Sequence, residues 1–137
     1  MLDKSINIRG IKRVAVDMAG HVPAPVCPEP TGKRIAIIGG GPSGLSAAYY
    51  LQLMGHQTTV FEKRKKLGGM LLYGIPSYRL PRERLQNDID VILETGVEIR
   101  LETSIGNEPG QISLEDLRKD YDALYIAIGA QDRKSVV

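Results

Sequence analysis

The sequence predicts an α/β fold with a doubly wound parallel sheet that is incomplete within its 137 residues. Three observations predict it. A short apolar run, Ile35 to Ile38, is followed by glycines and then by a helical segment. A second short strand ends on an acid, Glu62, about twenty residues beyond the first glycine. Further apolar runs then alternate with helical patterns, which is typical of a Rossmann-like sheet with helices on both faces.

The composition is that of a soluble globular protein, with 42% hydrophobic and 25% charged residues. The net charge of +2 implies neither a nucleic acid nor a membrane as a partner. No apolar run approaches about 18 residues and no signal peptide is present, so we expect a cytoplasmic protein. The one cysteine, Cys27, cannot form an internal disulfide or hold a metal cluster by itself, and we predict no metal site.

The first 33 residues are predicted to lie outside the sheet. Residues 6–19 place hydrophobic side chains at helical spacing, with Gly20 as a stop, and we expect an amphipathic helix that docks on something larger. Residues 21–33 contain four prolines and are predicted to be an extended linker. The predicted organisation is therefore 1–20 helical, 21–33 linker and 34–137 partial Rossmann-like domain.

The glycines after the first strand fit the pattern G-x-G-x-x-G, and each has a physical reason. Gly39 permits a tight turn, and Gly41 lets the backbone approach a pyrophosphate. Gly44 lets the following helix, predicted over 43–54, pack close to the strand, and the N–H groups of its first turn favour phosphates. Glu62 can accept hydrogen bonds from the two hydroxyls of an adenosine ribose.

Four basic residues, 63–66, directly follow Glu62. They could recognise a phosphate on the ribose, as in NADP sites, or form a solvated loop. We favour the loop, because Glu62 would repel a 2′-phosphate. Residues 67–81 are rich in glycine and proline. This composition predicts an irregular segment, and an irregular segment of this length in a compact domain is usually a binding loop.

The rest of the chain alternates helices and strands. A helix is predicted over 82–95, a strand with one wet face over 97–101, and a short helix after a capping box that starts at Ser113. A buried strand is predicted to close the sheet within 122–130 and to end at Gly129.

Four segments together resemble the FAD-binding domain of the glutamate synthase small-subunit family. They are GGGPSGLSAAYYLQLMGHQTTVFEK, LGGMLLYGIPSYRLP, GVEIRLETSIG and LYIAIGA. The same flavoprotein module occurs in dihydropyrimidine dehydrogenase and in related NAD(P)H-dependent reductases. Residues 6–20 resemble the tail of the family's N-terminal helical domain, whose upstream cysteines hold iron–sulfur clusters.

The resemblance implies a set of FAD-contacting positions and no catalytic acid, base or nucleophile. The set comprises the fingerprint turn, the adenosine end, the LGG motif, the arginine of the RLP motif and two later backbone contacts: Gly39, Gly40, Gly41, Pro42, Ser43, Gly44, Glu62, Lys63, Gly69, Met70, Arg79, Ile105 and Gly129. The family's usual threonine in the last motif is replaced here by Ile128.

The implied function is the FAD-binding part of an NAD(P)H-dependent oxidoreductase. Electrons would pass from NAD(P)H through FAD to 4Fe–4S clusters, a partner subunit or a ferredoxin-like acceptor. The family's cluster cysteines and second fingerprint are not in this sequence, so we expect a fragment that is inactive alone and binds FAD only weakly. Two alternatives stay open: a cofactor-free interaction module of a multi-subunit complex, and a plain NAD-binding Rossmann domain. NADH cannot be separated from NADPH by the sequence.

Overall fold

A computed structural model describes residues 5–130. It contains a four-stranded parallel sheet with the strand order β3-β2-β1-β4. The strands are β1 (Arg34–Ile38), β2 (Gln57–Phe61), β3 (Glu98–Arg100) and β4 (Ala123–Ile126). The helices are α1 (Ile8–Ala19), α2 (Pro42–Leu53), α3 (Met70–Tyr73), α4 (Arg82–Glu94) and α5 (Leu114–Asp120). This topology confirms the predicted Rossmann-like, doubly wound sheet.

The two faces of the sheet are buried by different helices. Ile37 and Val60 face α2 and α4, whose side chains Leu45 and Ile89 complete one hydrophobic cluster. On the opposite face, Phe61 packs edge-to-face on Tyr121, with ring centroids 5.9 Å apart, in a cluster that includes α5. Because all four strands are parallel, their carboxyl ends meet at one edge of the sheet, where ligands bind in folds of this kind.

Glycines end several helices as predicted. Gly20, Gly55 and Gly96 have φ values of +66°, +82° and +88°, which are unfavourable for residues with a Cβ. The predicted cap of α5 is also confirmed, because the Ser113 hydroxyl accepts a hydrogen bond from the Asp116 N–H at 3.1 Å.

Three local predictions were wrong. β4 is an edge strand within the described residues, and Ile126 is 62% exposed, so the last strand is not buried. β3 is only three residues long, and Leu101 lies beyond it and is exposed. The segment 67–81 is not wholly irregular, since Met70–Tyr73 form one helical turn.

The N-terminal helix and the start of the linker contact α4 at a few polar points. None of the described residues of α1 is buried, and Asp17 bonds Arg84 of α4 at 3.2 Å. In the linker, the N–H of Ala24 and the ring of His21 both bond the carboxylate of Glu94, each at 3.0 Å. Residues 21–33 form no helix or strand, and their last part reaches the turn between α2 and β2, where the Thr31 N–H donates to the Gly55 carbonyl at 2.9 Å. None of the helices described over residues 5–130 is long and apolar enough to cross a membrane.

Asp122 joins the starts of β1 and β4. Its carboxylate accepts hydrogen bonds from the Arg34 N–H at 2.9 Å and from the Lys33 ammonium at 2.8 Å. The bond from the Arg34 N–H, helped by Lys33, holds the pKa of the Asp122 carboxyl below its usual value.

We predict that Asp122→Asn lowers the urea midpoint at pH 7 and that this difference shrinks on acidification. A lowered pKa contributes stability that is complete above the ordinary aspartate pKa of about 3.9 and is lost as the pH falls through the lowered value. Urea titrations from pH 7 to pH 2.5 measure the difference. Asp88→Asn, on the exposed face of α4, is the control and should change little at any pH. A pH-independent difference for Asp122→Asn would contradict the assignment.

Candidate functional site

The fingerprint turn lies at the carboxyl end of β1 and is sterically restricted to glycine. Gly39 has a φ of +113°, and its N–H donates to the Phe61 carbonyl at the end of β2 at 2.8 Å. A Cβ on Gly39 would collide with the Ala127 carbonyl, and one on Gly44 would collide with the Gly39 carbonyl. The predicted tight turn and the close approach of helix and strand therefore both have a steric cause.

Gly41 differs from its neighbours because it has room for a side chain. A Cβ there would meet only the Gly69 Cα, at an ordinary distance of 3.8 Å, and its φ of −80° suits any residue. Gly41 is the N-cap of α2 and Pro42 is the first helical residue, so within the described chain no side chain caps this helix. The N–H groups of Ser43 and Gly44 lie in the first turn of the helix, and N–H groups there have no acceptor within the helix. This end of α2 favours an anion.

Glu62 lies buried against the turn, with 7% of its surface exposed. One carboxylate oxygen accepts the Gly40 N–H at 2.7 Å, and the other accepts the Arg64 N–H at 2.8 Å. The structure thus brings the predicted acid and the predicted glycines together. Each oxygen keeps a further lone pair with which it can accept a hydrogen bond from a ligand hydroxyl.

A second glycine pair packs directly on the fingerprint turn. The Gly68 N–H donates to the Gly40 carbonyl at 2.8 Å. Gly69 has a φ of +51°, and a Cβ there would come within 2.8 Å of the Gly41 Cα. The LGG motif is therefore the second wall of the site, made of backbone, and it continues into α3 at Met70.

The remaining predicted contacts are spread around this centre. Lys63 and Met70 are exposed beside it, and Gly129 lies two residues beyond Ala127, with a φ of +72°. Arg79 is exposed in the turn after Pro76, and no hydrogen bond joins its side chain to the fingerprint in the described part of the chain. Ile105 forms a bridge with Ile112 and packs towards α5. Their roles towards a cofactor stay predictions.

Two side-chain contacts near the turn were not predicted from the sequence. The Tyr125 hydroxyl of β4 lies 3.1 Å from the Ser43 hydroxyl in the first turn of α2. The Arg64 guanidinium lies over the Tyr73 ring, 4.2 Å from its centroid, so the basic segment after Glu62 folds onto α3. No cluster of three His, Cys, Asp or Glu that could hold a metal occurs over residues 5–130.

We predict that Gly69→Ala destabilises the protein more than Gly110→Ala does. Both positions have positive φ, at +51° and +85°, which costs an alanine roughly 1–2 kcal/mol. Only Gly69 also has a neighbouring backbone within reach of the new methyl, which adds roughly 1–3 kcal/mol of overpacking, whereas Gly110 has nothing within 4 Å. Urea unfolding measures both; equal losses would show that the two glycine segments do not pack together.

Comparison with known proteins shows which proteins share these features. Residues 37–98 match the family model of an NAD(P)-binding Rossmann-like domain. The chain is 45% identical to NADPH-Fe(3+) oxidoreductase subunit beta of Geobacter sulfurreducens, over 97% of this chain and 20% of that protein. It is 32% identical to the glutamate synthase [NADPH] small chain of Bacillus subtilis, over 98% of this chain and 27% of that protein.

Among solved structures, FprA, a Mycobacterium tuberculosis oxidoreductase, matches with a TM-score of 0.62 and 23% identity, over 77% of this chain and 25% of that one. At this identity the match shows the fold alone. The chain spans about a fifth to a quarter of the length of these relatives. Over nearly all of its residues, the chain is similar to one segment of the glutamate synthase small subunit and of the related NADPH oxidoreductase beta subunits.

Proposed function

We propose that this chain is the FAD-binding part of an NAD(P)H-dependent oxidoreductase. Electrons would pass from a nicotinamide cofactor through FAD to iron–sulfur clusters or to a partner subunit. The observation that carries the proposal is the meeting of three features at one place: the fingerprint turn, the buried Glu62 carboxylate and the Gly68–Gly69 wall. The alternation of strands and helices alone would not distinguish a nucleotide site from an ordinary α/β domain.

The geometry fits the ADP half of a dinucleotide. The space beside Gly41 and the uncapped first turn of α2 suit a pyrophosphate. Glu62 lies where its free lone pairs can accept the ribose hydroxyls, and Lys63 follows it at the adenosine end. The negative charge of Glu62 favours a ribose with free hydroxyls over one with a 2′-phosphate.

The segment that begins at Gly69 supports FAD over a smaller nucleotide. Its start is fixed against the pyrophosphate side of the turn, so Met70 and the residues after it extend the wall beyond the ADP half. When bound, FAD supplies two-electron acceptance and one-electron release, and the chain supplies binding and orientation. We propose further contacts from Arg79, Ile105 and Gly129, on the strength of the family resemblance.

The donor and the partner are proposed from the relatives. The Geobacter protein is named as an NADPH-dependent subunit and the Bacillus protein as an NADPH-dependent small chain, so both act within larger assemblies. NADPH is therefore the first donor to test, and a partner subunit is the expected electron acceptor. We propose the cytoplasm as the location, which is the expectation for a sequence that shows neither a long apolar run nor a signal-peptide pattern.

Two other candidates have an observation in their favour. The matched family model describes an NAD(P)-binding domain, so a nicotinamide nucleotide could occupy the turn itself. The exposed hydrophobic residues of α1, including Ile8 and Met18, favour an interaction module that binds a partner without a cofactor. Nucleotide titration separates all three candidates.

We predict that Gly41→Ala weakens nucleotide binding by at least about tenfold without unfolding the chain. The methyl group fits the free protein but would occupy the space where a pyrophosphate must approach. Calorimetric titration with FAD, ADP, NAD⁺ and NADP⁺ should show FAD and ADP binding to the unmodified chain. In the variant we expect affinities lower by at least about tenfold, or about 1.4 kcal/mol.

The control for this experiment is Gly32→Ala in the exposed linker, where a Cβ meets nothing within 4 Å. Its φ of +74° makes the alanine costly for stability, so we expect a lower melting temperature with unchanged FAD affinity. Thermal melting of all three proteins confirms that they are folded. Equal FAD affinity in Gly41→Ala and Gly32→Ala would contradict the site. Preference for NAD⁺ or NADP⁺ over FAD would favour the nicotinamide-binding candidate, and binding of none of the four nucleotides would favour the interaction module.

A further inference from the structure

The segment that follows the basic residues is held at both ends. At its start, the Gly68 N–H bonds the Gly40 carbonyl of the fingerprint turn at 2.8 Å. At its far end, the Arg82 guanidinium donates to the carbonyls of Leu71 and Ile75, both at 2.8 Å. Arg82 is the first residue of α4 and is partly buried. Gly69 and Met70, the predicted cofactor contacts, lie between the two attachments.

The carbonyls that Arg82 binds belong to a helix too short to hold itself. α3 has four residues, and the last carbonyls of any helix lack partners within it. The Gly74 and Ile75 N–H groups both bond the Met70 carbonyl, at 2.9 and 3.0 Å, which leaves the Leu71 carbonyl to Arg82. A cation at a helix C-terminus is also favoured by the helix dipole.

Arginine suits this position better than lysine does. Its planar guanidinium presents several N–H donors in a rigid fork, and here two different nitrogens reach two carbonyls that are four residues apart. A lysine ammonium is a single point at the end of a flexible stem and cannot hold both carbonyls in the same geometry. The attachment therefore depends on the shape of the side chain as well as on its charge.

We propose that Arg82 is a positioning residue for the cofactor, acting through the segment 69–75. By bonding Leu71 and Ile75 it fixes α3 to α4, and so holds Gly69 and Met70 against the fingerprint turn before a ligand arrives. A wall fixed in advance raises affinity, because its ordering does not have to be supplied on binding. This inference rests on the proposed function, since it assigns Arg82 to the same FAD site.

Another arginine on the same helix provides a matched control. Arg84 bonds Asp17 of α1 at 3.2 Å and its side chain is 48% exposed, so it does not hold the segment. Arg84→Ala removes an arginine from the first turn of α4 without touching α3. Any general effect of losing a cation there should appear in both variants.

The test compares Arg82→Lys, Arg82→Ala and Arg84→Ala with the unmodified chain. Hydrogen exchange of the Gly74 and Ile75 amides reports whether the segment opens, with the amides of α2 as an internal reference. Calorimetry with FAD and with ADP reports binding. In Arg82→Lys we expect faster exchange confined to residues 69–75 and FAD affinity lower by about tenfold, with a smaller loss for ADP.

The outcomes separate the two proposals. Unchanged FAD affinity in a folded Arg82→Lys or Arg82→Ala chain would overturn the role of Arg82, whatever the exchange rates. An equal loss in Arg84→Ala would also overturn it, because the effect would then be a general one of the helix. An unmodified chain that binds neither FAD nor ADP would overturn the proposed function and this inference together.

Discussion

The peptide groups around Gly40 are the point on which the site depends. Glu62 accepts the Gly40 N–H and Gly68 donates to the Gly40 carbonyl, at 2.7 and 2.8 Å. The end of β2 and the LGG segment are thereby fixed to the turn that follows β1. A buried carboxylate is costly unless it is hydrogen-bonded, so Glu62 and the turn stabilise each other. A polar residue of the site is thus also a structural one.

This arrangement explains why the site is made mostly of backbone. At Gly39 and Gly44 a side chain would collide with a carbonyl, and at Gly69 with a neighbouring Cα. Among the glycines of the fingerprint turn, Gly41 alone adjoins space that the free protein does not fill, and that space lies at the uncapped start of α2. Gly39, Gly44 and Gly69 are therefore glycines because the fold has no room for a side chain there. Gly41 has room, and we propose that a pyrophosphate occupies it. Phosphate binding at such a turn uses N–H groups that the helix itself cannot satisfy.

Local patterns predicted much of the fold, because β1, the fingerprint, α2 and Glu62 follow one another within about thirty residues with standard spacing. The burial of β4 was misjudged because the apolar run at 123–128 is typical of a strand covered on both faces, whereas its exposure depends on what lies beside it in the sheet. The Gly68–Gly40 bond and the Tyr125–Ser43 contact join residues distant in sequence, so no local pattern reveals them. The sequence predicts Arg82 only as the start of a helix, because nothing in it shows which carbonyls the side chain will reach.

The central claim is that the Gly40 turn, Glu62 and the Gly68–Gly69 wall form one site for the ADP half of FAD. Titrating FAD into isotopically labelled protein and following the backbone amide resonances tests it most directly. The account predicts that the amides of Gly39–Gly44, Glu62 and Gly68–Met70 shift together along one saturable curve, while those of α5 stay in place. No shifts at these amides at high FAD concentration, or shifts confined to α1, would contradict it.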